Sequence, residues 1–148
     1  MVRTGGDPVS ETIFPFVQPE PIETVDTLPT ARECAWDFIT DTAIFAQGEP
    51  VFVERGEAVL VWAWHALHTP RWRYEIHSGD YGSDIENLIG TSWSAELKQA
   101  EARCYVEECL LASPYITGVR VAALTFDAGR LTASIEITSV YGTLTLEV

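Results

Sequence analysis

Three histidines carry the first possibility of chemistry. His65 and His68 stand three residues apart, and Glu57, Glu75, His77 and Asp80 lie near them along the chain. Imidazoles and carboxylates hold a divalent metal when they converge and outer groups orient them. This pair falls in a Trp-rich run without His-Glu-x-x-His spacing, so polar tips at a helix surface or interface account for it better. Glu107 and Glu108 are adjacent carboxylates, but neighbours on a helix point apart, so they read as a solvated face rather than an acid-base pair. Trp72, Tyr74 and Tyr81 with Arg71 and Arg73 are the ingredients of a base-stacking platform, yet the surrounding acids favour ordinary packing. Nucleophile-elbow, phosphate-loop and dinucleotide-glycine patterns are absent, and the glycines are dispersed. Cys34, Cys104 and Cys109 form no Cys-x-x-Cys and are expected as buried free thiols in a reducing compartment. No catalytic, cofactor-binding or metal residue is expected, and the chain does not read as an enzyme.

The composition agrees. With 148 residues the chain fits one domain, and its net charge of −13 argues against nucleic acid, which needs a basic footprint. The longest run free of charged residues, Ala58 to Pro70, is 13 residues, shorter than the roughly 18 that span a bilayer. No membrane partner is expected. The first residues lack the apolar core of a signal peptide, so the mature chain is expected to begin at or near Met1.

These side chains need elements to position them. Residues 1–33 read as an extended N-terminal arm, since five of the eight prolines fall before residue 30 and prevent a helix. Ile13-Phe14 and Phe16-Val17 tilt that arm towards docking on a neighbour. Residues 34–148 read as one domain. Trp36–Thr40 and Pro50–Glu54 are β-rich runs joined through Gln47-Gly48-Glu49-Pro50, which predicts a hairpin. Glu57 to Thr69 predicts a helix ended by Pro70, apolar around nearly its whole circumference and so covered on more than one side; a protein partner is suspected. Ser83 and Glu86 suggest a capping box on a short helix with Ile85, Leu88 and Ile89 inside, stopped by Gly90. A longer helix runs from Ser94 to Ala112, with Leu97, Ala100, Cys104 and Leu111 near one stripe. Three strands follow, Val119–Phe126, Leu131–Thr138 and Thr143–Val148, the last two alternating strictly between apolar and polar. The fold class is therefore α+β: two main helices and a short one on a small, mostly antiparallel sheet, with an N-terminal hairpin and arm.

The order and spacing of these pieces carry a resemblance. A helix ends in Leu67-x-Thr69-x-Arg71-x-x-Tyr74. Asp80-Tyr81-Gly82 follows, then a short helix and Leu88-Ile89-Gly90, and a second helix ends in Ser113-Pro114-Tyr115-Ile116 before the terminal strands. Over roughly residues 34–148 this resembles the small baseplate protein, or sheath initiator, of contractile phage tails and phage-tail-like bacteriocins, in the branch from Gram-positive hosts. The resemblance implies a structural baseplate component that nucleates sheath polymerisation around the tube. Its implied partners are the tail sheath protein, tail tube or tube-initiator proteins, and baseplate wedge proteins. Six copies in a ring, within a virion or phage-tail-like particle made in the host cytoplasm, are implied too. In the related myophage wedge protein a Glu-Pro-Arg motif docks on wedge subunits. Here Ser113-Pro114-Tyr115 lacks both charges, so that docking is not carried over. Some relatives bear a "lysozyme-like" label, but no carboxylate pair for glycoside cleavage is found.

An edge strand ending at Val148 suits such a role, because an extended segment can add to it by main-chain hydrogen bonds, and Gly142–Val148 has neither Lys nor Pro to blunt it. The expected interface residues are Trp62, Trp64, Arg71, Tyr81, Pro114, Tyr115, Leu144, Leu146 and Val148. Arg71 is further expected to pair with an acid such as Asp80. The alternatives are an interaction adaptor outside any virion and, behind it, a peptidoglycan hydrolase.

Overall fold

A computed structural model describes residues 27–148. Most of the expected arm, residues 1–26, lies outside the described residues. Six short strands come first: β1 (Arg32–Cys34), β2 (Trp36–Asp37), β3 (Thr42–Ala43), β4 (Phe45–Ala46), β5 (Glu49–Pro50) and β6 (Phe52–Glu54). Helix α1 (Gly56–His68), a 3₁₀ turn (Ile85–Leu88) and helix α2 (Ala95–Leu111) follow, then β7 (Ile116–Asp127), β8 (Arg130–Ser139) and β9 (Gly142–Glu147). The fold is α+β. Arg32 and Glu33, expected in the arm, belong to β1, and Ala31 is buried in the core.

The predicted hairpin is a three-way junction instead. β1 pairs with β6 as a stem, and from it branch two smaller hairpins, β2–β3 and β4–β5. Trp36–Thr40 is not one strand, because Asp37 Oδ1 accepts from the Ile39 and Thr40 N–H groups and folds the chain back at once. The expected turn at Gln47-Gly48 is present, with φ of 54° and 87°, and closes β4 on β5. At the branch point three residues satisfy each other in a triangle. Ala35 N–H donates to Val51 O, Val51 N–H to Ile44 O, and Ile44 N–H to Ala35 O.

The last third is a meander in the order β7-β8-β9, every pair antiparallel. Alternation puts Ala133, Ile135 and Ile137 of β8 on the inner face, each at most 2% exposed. Leu124 and Val121 of β7 and Leu146 of β9 join them. Fully burying an aliphatic side chain of this size contributes roughly 1.5–3 kcal/mol.

Helix α2 packs on β7 through Ala102, Val106, Cys109 and Leu110. That is not the predicted stripe. Leu97, Cys104 and Leu111 are exposed, and the face turned inward is the one whose small residues let the helix approach the sheet closely. Cys104 is therefore not a buried thiol, whereas Cys109 is, and burial pushes its pKa up to about 12. The Ser94 cap is as expected, its Oγ accepting from Leu97 N–H at 3.3 Å.

Helix α1 is indeed covered on several sides, by β1, β6, β9 and α2 of its own chain. Its apolar circumference thus has an internal explanation, and the inference of a partner from that property alone falls. Gly56 opens the helix where a Cβ would stand 3.1 Å from Leu144 Cδ2, so a glycine lets α1 lie against β9.

Candidate functional site

Two regions gather the residues that sequence reasoning selected. The first is the link from α1 to the 3₁₀ turn. Thr69 Oγ1 donates back to His65 O at 2.7 Å and closes the helix end. The chain then makes a loop stapled at its neck by a parallel bridge: Ser83 N–H donates to Thr69 O and Arg71 N–H to Ser83 O. Gly82 sits in this staple at φ +103°, where a Cβ would come within 2.8 Å of Thr69 O, so the Asp-Tyr-Gly motif needs its glycine. With its N–H spent on Thr69, Ser83 builds no capping box; its Oγ accepts from Ile85 N–H instead, and the result is one 3₁₀ turn. Leu88 is buried beneath it while Ile89 is exposed, contrary to its expected inner position.

Arg71 projects from the staple into a cleft lined by Asp80, Glu108, Leu111 and Ala112. Its ion pair is with Asp84, Nη1 to Oδ2 at 3.2 Å, rather than with Asp80. The staple decides this, because it carries the residue after Ser83 to the guanidinium. The cation also lies beside the C-terminal end of α2, where the helix dipole is negative. Arg71 Nε is buried without a hydrogen-bond partner, and Asp84 is the one ion-pair partner of this charge among the described residues. Arg71→Ala is expected to lower the unfolding free energy by about 1–2 kcal/mol, discounted for the partial exposure of the pair. Thermal unfolding of the variant checks it; an unchanged midpoint removes the structural role.

Around α1, aromatic groups fill the remaining space. Trp62 meets Tyr81 edge-on at 5.8 Å and shares a groove with Tyr115, Ala31 and Ser113. Trp64 is buried, lies against His68 with ring centres 4.1 Å apart and planes tilted by 31°, and donates its indole N–H to Asp41 Oδ1 at 3.2 Å. The same Asp41 oxygen takes the Trp36 indole at 3.0 Å, and these two bonds hold its carboxyl below the usual range. His65 packs against Trp36, and burial lowers its pKa. These imidazoles thus have structural contacts. Among the described residues no group of three or more His, Cys, Asp or Glu is placed to hold a metal ion. Nor, among them, is any helix long and apolar enough to cross a membrane.

The second region is β9. Ala133 and Val148 exchange both main-chain bonds, N–H to O at 2.8 and 3.0 Å. With the register Ile135↔Leu146, Ile137↔Leu144 and Ser139↔Gly142, alternation turns the polar groups of residues 142, 144, 146 and 148 towards β8. Thr143, Thr145 and Glu147 therefore direct N–H and C=O away from the sheet, and all three are exposed. Leu144 and Val148 are half-buried and Leu146 is buried on the helix side. Sequence reasoning chose the leucines and missed the residues between them, although the alternation that buries one set is the signal that frees the other. At the opposite edge, β7 has its Val121 carbonyl occupied by Arg103 Nη1 at 2.9 Å.

The structure therefore sets Tyr81 and Tyr115 near Trp62, midway along α1, and lines up Leu144, Leu146 and Val148 on β9. Trp64 and Leu146 face the interior, and Pro114 is exposed. Exposed apolar side chains outside the expected interface stand on the junction (Ile39, Phe45) and on the stapled loop (Trp72, Ile76); Trp72, expected to pack, is 79% exposed. A family model described as "Contractile injection system sheath initiator" matches residues 32–142. No curated protein matches the chain.

Proposed function

The chain belongs to the contractile injection system sheath initiator family, and from that premise we propose that it nucleates the sheath by offering the outer edge of β9 to an extended segment of the first sheath subunit. Membership makes it a structural component of such a system. The observation that carries the finer reading is the row of outward main-chain groups at Thr143, Thr145 and Glu147, unpaired among the described residues. Main-chain bonds supply affinity there, and alternate side chains set register. The acidic chain, at −13, disfavours self-association and suits a basic face on the incoming partner. On this reading the neighbours are sheath, tube and wedge proteins, and six copies close a ring in the baseplate of a phage tail or tail-like particle. Ser113-Pro114-Tyr115 and the Trp62 groove are then left for the lower partners.

Negative-stain images of particles assembled without this chain test the role. Bare tubes on baseplates, or sheaths detached from them, are expected. Sheaths of normal length seated on the baseplate would overturn it, and absence of the protein from purified particles would favour an adaptor outside the virion.

A further inference from the structure

Helix α2 carries a second apolar seam that nothing among the described residues covers. Leu97, Cys104 and Leu111 recur every seven residues, and Ala100 lies beside them. At 3.6 residues per turn this seam runs along the side opposite Ala102, Val106, Cys109 and Leu110, the face that packs on β7. All four seam residues are exposed, Leu97 at 43% and Leu111 at 50%. Leucines scattered singly on a surface need no explanation, but a seven-residue repeat opposite the packed face does. From Leu97 to Leu111 the seam is about 21 Å long.

The charges along the seam select what fits it. Glu101 and Glu108 flank it on one side, Glu96 and Glu107 on the other. None of these four carboxylates is in an ion pair among the described residues. The two cations of the helix are turned towards β7 instead: Arg103 Nη1 donates to Val121 O at 2.9 Å, and Lys98 Nζ stands 5.9 Å from the centre of the Phe126 ring. At its C-terminal end the seam opens into the cleft where Glu108 and Leu111 meet Asp80, and where Arg71 is already engaged by Asp84. A seven-residue repeat keeps one seam against a second helix when the two cross at about +20°. Ala100 and Cys104, small and central, admit a larger side chain of that helix between the two leucines. Two copies of α2 placed face to face would oppose glutamates to glutamates, so the repeat does not serve self-association.

We propose that the outer face of α2 is the docking site of an amphipathic helix from a different polypeptide, with aliphatic side chains in heptad spacing and Lys or Arg on both flanks. The proposal does not depend on the β9 edge, and it is tested on the isolated full-length chain. The probe is a fluorescent helical peptide of about 21 residues, with Leu at the core heptad positions and Lys at the flanking ones. A Glu-flanked peptide and a scrambled one accompany it. By fluorescence anisotropy the Lys-flanked peptide is expected to bind at least roughly tenfold tighter than either control. Glu101→Lys with Glu108→Lys should bring the two charged peptides to within about twofold of each other. Leu97→Ala with Leu111→Ala should weaken the Lys-flanked peptide about tenfold. No binding, or equal binding of the three peptides, would overturn the proposal. So would a charge preference that survives the glutamate exchange, or an affinity indifferent to the two leucines. A concentration-dependent dimer that the leucine substitutions abolish would assign the face to a second copy and overturn it as well.

Discussion

Thr145→Pro is expected to leave particles with baseplates and bare tubes while the isolated protein melts within about 3 °C of the natural chain. The proline removes one N–H, which points away from β8, and its ring is tolerated at an edge. The bonds that hold β9 in the sheet come from residues 142, 144, 146 and 148 and stay intact. A sheath segment pairing there loses its central donor and meets a ring in its path. Leu144→Pro is the contrasting variant, since it removes a donor to Ile137 and should cost about 3 kcal/mol or more. Thr145→Val should assemble normally. Full sheaths on Thr145→Pro baseplates, seen by negative stain, would sink the reading of this edge.

Ile135→Ala is expected to be the most damaging single truncation, lowering the unfolding free energy by about 3–4 kcal/mol. Ile135 is the central residue of the central strand, facing Val121 on one side and Leu146 on the other, and is 0% exposed. The cavity it leaves is walled by paired strands and by α2, so little can collapse into it. For a chain of this length the melting point should fall by roughly 10 °C. A drop of only a degree or two in a thermal scan would mean that the site repacks.

The parts of the fold that sequence made legible are those whose physics is local. Strict alternation in Leu131–Thr138 and Thr143–Val148 marks a sheet with one dry face, and both strands are where it put them. Ser94 and Pro114 bracket α2 for equally local reasons. Other features depend on contacts between distant residues. The face of α2 that turns inward is chosen by closeness of approach, so Ala102 and Cys109 are inside while Leu97 and Leu111, larger and more apolar, are not. Arg71 selects Asp84 over Asp80 because a parallel bridge joins Pro70 to Ser83. The division of β1–β6 into a branched junction turns on one carboxylate, Asp37, taking two backbone donors. The candidate edge was half visible: its strand was found, but the groups that matter are main-chain atoms of Thr143, Thr145 and Glu147.

Two phenols at the root of the arm, Tyr115 donating to Pro29 O and Tyr141 accepting from Ala31 N–H, also bear on how the chain comes together. Nearly every other pairing described joins stretches close in the chain: stem to stem across the junction, and β7 to β8 to β9 through tight turns. The bond from Ala31 to Tyr141 spans 110 positions. Short closures form quickly and long ones slowly, so the junction and the meander organise as separate pieces and this rivet is driven home last.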